Sequence, residues 1–168
     1  DSKIESYKDM AQGFIDDNNI AAARKILEEG IAKTKSEELQ SMLDSISAID
    51  LSEYDGSWAE EDLSYENGGF IMTISAENDT AFILCEYADG EVGTTNGSIT
   101  EEVSSKDIKG NSVKIKEAED DWGNLVDMTI NFNGDTIVCE VTKIKGADFA
   151  PVFYEGTYTL VRTDDPIA

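Results

Sequence analysis

The first 48 residues carry apolar side chains at intervals of three and four positions, which is the period of an amphipathic helix. These positions are Ile4, Tyr7, Met10, Ala11, Phe14, Ile20, Ala23, Ile26, Leu27 and Ile31. Short polar residues at 16–19 interrupt the pattern and can cap a second helix. A third helix follows, with Ser36 or Thr34 as its cap. We expect it to bury Leu39, Met42, Leu43, Ile46 and Ile49. The pattern predicts three short helices before Asp50.

From Tyr54 onward the period changes to two, and Gly, Asn and Asp residues recur at intervals of roughly ten positions. The alternation predicts strands near 56–61, 69–76, 80–88, 97–104, 111–118, 124–133, 135–145 and 156–163. Eight strands in a meander remove their unpaired edges by closing into a barrel. The predicted fold class is therefore α+β, with a helical segment at 1–50 and an eight-stranded antiparallel meander β-barrel at 54–165.

The alternation also predicts which side chains face the inside of the barrel. These are Phe70, Met72, Ile74, Ile83, Cys85, Tyr87, Val113, Ile115, Val126, Met128, Ile130, Phe132, Ile137, Cys139, Val141, Tyr158 and Leu160. Polar members lie near the ends of this face, namely Tyr87, Glu117 and Tyr158. A barrel mouth lined by two tyrosines and a carboxylate is suited to a small amphipathic molecule or a sugar. The alternative is that the tyrosine hydroxyls merely reach solvent at the rim.

The helical segment resembles a single tetratricopeptide repeat with a third helix as its cap. The matching positions are Tyr7, Met10-Ala11, Phe14, Ala23, Leu27 and Gly30. Ala11 and Gly30 are small where the two helices of such a repeat approach closely. The proline that closes the repeat is absent, and Lys35 is the nearest residue. The alternative is an unrelated helical hairpin packed on the strands.

The β segment opens with Gly56-Ser57-Trp58 and closes with a strand that contains Arg162, and in these features it resembles a small bacterial lipocalin-like barrel. The resemblance implies that Trp58 on the first strand packs under Arg162 from the last, because closure makes those strands neighbours. The long loops that gate the ligand in that family are missing. The alternative interpretation, without the resemblance, is that Trp58 is an ordinary core aromatic and Arg162 is a surface cation.

Composition narrows the possible functions. The chain has 168 residues, 40% of them apolar, and a net charge of −23, which repels nucleic-acid phosphates and anionic membrane surfaces. The absence of histidine removes Ser-His-Asp and Cys-His catalysis and His-ligated zinc. We therefore expect no catalytic residues and no enzyme activity. An acid-based hydrolase is a minor alternative, since carboxylates are abundant but none stands out as having a raised pKa.

Metal and redox sites are not indicated either. The acidic runs, such as Glu119-Asp120-Asp121, lack the alternating spacing of calcium ligands, so we expect no metal and no cofactor. Cys85 and Cys139 lie on the third and seventh predicted strands and both point inward. Those strands face each other across the barrel, farther apart than a disulfide can span, which favours two buried free thiols. A flattened barrel would allow the bond.

The expected function is a non-catalytic, extracytoplasmic binding module whose barrel recognises a small amphipathic ligand or glycan. An alternative assigns the chain to protein–protein contact or spacing, with a filled barrel and a partner on the helical face. No membrane-spanning stretch or signal peptide is recognisable, and the chain begins at Asp1 rather than at Met. We expect that an upstream targeting segment has been removed. The acidic, cysteine-poor and β-rich sequence suits the outside of a cell, so we expect a secreted protein, or a lipoprotein anchored to the cell envelope through that removed segment.

Overall fold

The computed structural model describes residues 1–63, 68–89, 94–146 and 153–164, and it confirms the predicted α+β fold class. Three helices come first in the described chain: α1 (Ser2–Asp16), α2 (Ile20–Thr34) and α3 (Glu37–Asp44). A 3-10 helix at Leu51–Tyr54 leads into the strands. The strands are β1 (Gly56–Glu60), β2 (Gly69–Glu77), β3 (Thr80–Asp89), β4 (Thr94–Ser104), β5 (Ser112–Glu119), β6 (Leu125–Phe132), β7 (Thr136–Lys145) and β8 (Gly156–Arg162). The predicted end of the barrel at 165 lies outside the described residues.

Short polar side chains start all three helices. The caps are Asp1, Asn19 and Ser36. The Ser36 hydroxyl accepts a hydrogen bond from the backbone N–H of Leu39 at 3.3 Å, which satisfies one of the free amides of the first turn. Thr34, the other predicted cap, instead belongs to α2, where its hydroxyl donates to the carbonyl of Gly30 at 2.7 Å.

The strands form one antiparallel sheet in the order β4-β3-β2-β1-β8-β7-β6-β5, which closes nearly completely. The first and last strands are hydrogen-bonded neighbours, as predicted. No ladder joins the described parts of β4 and β5, so a seam runs between them. Carboxylates cover part of this free edge. Asp121 accepts from the backbone N–H of Ser98 at 2.8 Å, and Asp107 accepts from that of Ser104 at 3.1 Å.

The barrel encloses the main apolar core, and every apolar or tyrosine residue assigned to the inner face by alternation belongs to it or packs against it. The largest fully buried side chains in this core include Trp58, Phe70, Phe132 and Phe153. Burial of large aromatic side chains contributes roughly 1.5–3 kcal/mol each. The inner face is therefore the principal source of stability in the β segment.

A second apolar cluster lies within the helices and is separate from the barrel core. Its buried members are Ala11, Ile20, Ala23, Leu27, Leu39 and Ile46. The third helix ends at Asp44, and Ile49, which was predicted to pack with it, contacts the barrel core instead. This prediction is wrong because the chain leaves the helix before Ile49 and turns toward the strands.

Among the described residues, no helix has both the length and the apolar character needed to cross a bilayer.

Hydrogen bonds connect the helices to one end of the barrel. Residues 46–48 run beside Gly110, which donates to the carbonyl of Ile46 at 3.0 Å and accepts from the amide of Ala48 at 2.6 Å. In the turn before α2, the side-chain oxygen Oδ1 of Asn18 accepts a hydrogen bond from the hydroxyl of Ser104 at 2.9 Å. We call this end of the barrel the proximal end. The opposite end, where β1, β3, β5 and β7 finish, is the distal end.

Candidate functional site

The proximal end of the barrel is filled by aromatic side chains that pack on one another and form hydrogen bonds with backbone groups. The Tyr54 ring lies 5.8 Å from the Trp58 ring and 4.9 Å from the Phe132 ring, measured between centroids. The Tyr54 hydroxyl accepts from the backbone N–H of Gly134 at 2.8 Å, and the indole N–H of Trp58 donates to the Tyr54 carbonyl at 2.9 Å. The polar groups of these side chains are therefore satisfied within the protein.

Of the three predicted site residues, the structure brings the two tyrosines, Tyr87 and Tyr158, together at the distal end. The rings of Tyr87 and Tyr158 lie 6.3 Å apart and nearly perpendicular, at 77°. Phe153 is buried and contacts Tyr87 edge-on at 6.4 Å, and Phe70 lies 5.1 Å from Tyr158. Both tyrosines are half-buried. Their rings pack against the fully buried Phe70 and Phe153 and remain partly exposed at the distal end.

The two tyrosine hydroxyls have different partners. The Tyr158 hydroxyl donates to the backbone carbonyl of Tyr154 at 2.8 Å. Within the described ranges, the Tyr87 hydroxyl has no hydrogen-bond partner. Burial raises the pKa of Tyr87, and the nearby carboxylates of Glu60 and Asp62 raise it further. Tyr87 is therefore a neutral hydroxyl at neutral pH that can donate to, or accept from, a bound molecule.

Glu60 supplies the carboxylate of this site, and the sequence interpretation missed it. It lies opposite Leu160 in the β1–β8 ladder, so it shares the inner face with that buried residue. Its Oε2 accepts from the backbone N–H of Phe70 at 2.8 Å. Gly69 permits this approach, because a Cβ there would lie only 2.7 Å from the same oxygen. The available signal was alternation from Trp58, but the assignment of inward-facing side chains was not extended to the first strand.

Glu117, which alternation placed on the inner face, does not join the tyrosines. The β5–β6 ladder shifts register between Ile115 and Ala118, and Glu117 adopts a positive φ of 55° at this bulge. Ala118 is buried, whereas the Glu117 carboxylate is exposed and pairs with Lys145 at 3.2 Å. The predicted inward orientation of Glu117 is therefore wrong, because one extra residue in the strand reverses the alternation.

A second inward carboxyl lies at the seam. Glu101 on β4 is opposite Ile83, and its neighbours on the same face, Ile99 and Val103, are buried. Burial raises the pKa of Glu101 above its ordinary value of 4.5. An inward charge on an edge strand opposes pairing with another sheet, which is a common protection of free edges. The sequence interpretation did not assign faces to this strand.

The predicted pair of Trp58 and Arg162 is confirmed. The two residues are opposite each other in the β1–β8 ladder, and the guanidinium carbon lies 4.5 Å from the centre of the fully buried indole. The pair lies toward the proximal end, away from the tyrosines. Its arrangement indicates a role in closing the barrel.

Both cysteines are buried free thiols, as expected from their positions across the barrel. Burial raises the pKa of the Cys139 thiol to about 12 and that of Cys85 well above its usual range. Their thiolates are too scarce at neutral pH for nucleophilic or redox chemistry. In the parts of the chain that the structure describes, no group of three His, Cys, Asp or Glu side chains is placed to hold a metal ion.

Comparison of the chain with models of protein families, with curated proteins and with solved structures gives no significant match in any of the three. Neither resemblance, to the tetratricopeptide repeat or to the lipocalin-like barrels, gains support there. The functional interpretation therefore depends on the geometry of the barrel and of its distal end.

Proposed function

We propose that the chain is a non-catalytic binding module whose barrel recognises a small amphipathic ligand at its distal end. The observation that carries the proposal is that Glu60, Tyr87 and Tyr158 lie at the same end of the barrel, where the two tyrosine rings are 6.3 Å apart and the Glu60 carboxylate is near enough to raise the pKa of both. Binding sites for small molecules combine apolar and aromatic walls with a few fixed polar groups. The three residues and the adjoining Phe70 and Phe153 have this composition.

The contrast between the two ends supports a binding role. At the proximal end, the polar groups of Tyr54 and Trp58 are hydrogen-bonded within the protein. At the distal end, the Tyr87 hydroxyl and one oxygen of Glu60 have no protein partner among the described residues, and both side chains are only partly buried. A ligand that enters from the distal end can supply partners for both groups, and its apolar body can contact the half-buried ring of Tyr158, which packs on the fully buried Phe70.

The remaining features of the proposal concern family and location. The Trp58–Arg162 pair and the eight-stranded meander favour a lipocalin-like barrel, and the strongly acidic surface is compatible with an extracytoplasmic protein. The helical segment would then serve as a docking surface or as the end of a repeat. These assignments rest on the two resemblances and on the charge.

Titration of the isotope-labelled protein with a panel of amphipathic alcohols, amines, acids and alkyl glycosides tests the proposal by NMR. We expect at least one probe to shift the ring resonances of Tyr87 and Tyr158, and Tyr87→Phe to weaken that binding at least tenfold. Tyr7→Phe in α1 is the matched control and should leave the affinity unchanged. If no probe binds, or if the shifts map to the helices, the alternative of a filled barrel used for protein contact is favoured.

A further inference from the structure

We propose that the ligand of the distal end is a cationic amphipath, with an apolar body and one protonated amine or guanidinium group. The inference rests on the proposed function and specifies the charge of the molecule that the site takes. It depends on the position of Glu60, on the absence of a described cation beside it, and on the surrounding aromatic rings.

The carboxylate of Glu60 is fixed in place rather than free to turn into solvent. The Phe70 amide holds its Oε2 at 2.8 Å, and the missing side chain of Gly69 leaves the space that this oxygen occupies. Glu60 lies opposite the buried Leu160, and its Oε2 shares the space beside Gly69 with Leu63, so the charge is held at the distal edge of the β1–β2 ladder. A charge held at one position recognises a complementary group better than a mobile one, because less conformational freedom is lost on binding.

The protein provides no described cation to neutralise this carboxylate. The ion pairs among the described residues involve Lys8, Arg24, Lys33 and Lys145, and none includes Glu60. Arg162, on the neighbouring strand, is held at the proximal end by hydrogen bonds to the carbonyls of Asp55 and Glu53. A carboxylate that is partly removed from water and lacks a cationic partner favours a ligand that brings one.

The aromatic rings beside the carboxylate strengthen the preference for a cation. The rings that a ligand can reach at this end are those of the half-buried Tyr87 and Tyr158, which lie 6.3 Å apart, whereas the Phe70 ring is fully buried beneath Tyr158. Electron-rich ring faces attract ammonium and guanidinium groups, and the attraction increases as water is excluded. The net charge of −23 raises the local concentration of cations and opposes the approach of carboxylate or sulfate amphipaths.

The test compares three probes that share a ten-carbon chain: decylammonium, decanoate and decyl glucoside, each kept below its micellar concentration. Isothermal titration calorimetry at pH 7 and low salt measures the affinities. We expect decylammonium to bind at least tenfold more tightly than the other two. Glu60→Gln, which retains an acceptor for the Phe70 amide, should reduce decylammonium binding at least tenfold and leave decyl glucoside binding unchanged.

Glu117→Gln is the matched control, because it removes one carboxylate from the distal half of the barrel but outside the tyrosine site. It should change none of the affinities. Decylammonium binding that both variants weaken equally would overturn the inference, because it would reflect attraction to the overall charge. If the three probes bind equally and Tyr87→Phe weakens their binding, the cationic preference is overturned and the proposed function still stands. Failure of all three probes to bind would contradict both.

Discussion

The guanidinium of Arg162 lies 4.5 Å from the centre of the Trp58 ring, and the two residues face each other across the ladder that joins the last strand to the first. Arg162 also donates one hydrogen bond to the carbonyl of Asp55 at 2.8 Å and another to that of Glu53. One side chain therefore covers the indole, binds the segment that enters β1, and connects the two strands that complete the barrel.

This arrangement predicts that removal of the guanidinium weakens closure of the barrel. We expect Arg162→Met to lower the free energy of unfolding by about 1–3 kcal/mol, because two carbonyls lose their charged donor and the ring loses its cation. Trp58→Ala should cost roughly 3–5 kcal/mol, because the ring is fully buried. Urea unfolding monitored by circular dichroism measures both. Lys114→Met, at an exposed position of β5, is the control and should change stability by less than about 0.5 kcal/mol.

Two helical glycines should respond to alanine in opposite directions. At Gly30 in α2 a Cβ would lie 2.8 Å from Leu39 Cδ1 and 2.8 Å from Tyr7 Cγ, so Gly30→Ala should destabilise the helices by about 1–3 kcal/mol. At Gly13 in α1 nothing lies within 4 Å of the added atom, so Gly13→Ala should stabilise by up to about 1 kcal/mol. Thermal unfolding of the two variants checks the signs. A stabilising Gly30→Ala would show that the three helices are packed less closely than described.

The thiols should be unreactive in the folded protein. With the pKa of Cys139 raised to about 12 and that of Cys85 well above its usual range, titration with a thiol reagent at pH 8 should find no fast-reacting group, and two after denaturation. A thiol whose pKa is raised by folding stabilises the fold while it is protonated. This contribution is lost as the pH rises from the unfolded pKa of about 9 toward 12. Cys139→Ala should therefore make stability less sensitive to pH in that range, as measured by urea unfolding.

Glu101 should oppose stability at neutral pH. Burial raises its pKa from 4.5, so the folded state favours the protonated carboxyl, and stability falls as the pH rises through the folded-state pKa. Glu101→Gln removes this titration and should stabilise the protein slightly at pH 7, by no more than about 0.5 kcal/mol because water still reaches the carboxyl, with no gain below pH 4. Glu102→Gln, on the exposed face of the same strand, is the control. A gain that is equal at both pH values would rule out the ionised carboxylate as its cause.

The sequence by itself determined the parts of the structure that depend on local periodicity. A change from helical spacing to strict alternation located three helices and eight strands, because each side chain's direction follows from its own backbone. It also placed Tyr87 and Tyr158 on the inner face. The resemblance of the first and last strands to those of a lipocalin-like barrel paired Trp58 with Arg162.

The tertiary structure decided which carboxylate joins the tyrosines. Alternation along β5 selected Glu117, but the bulge that turns this residue outward arises from its pairing with β6 and leaves no clear mark on a single strand. Glu60 faces inward beside Phe70 because β1 is paired with both β2 and β8, and Gly69 leaves room for its oxygen. Contacts between residues far apart in the chain decide which strand pairs contain a bulge and which residues become neighbours across them. Periodicity along one strand does not encode those contacts.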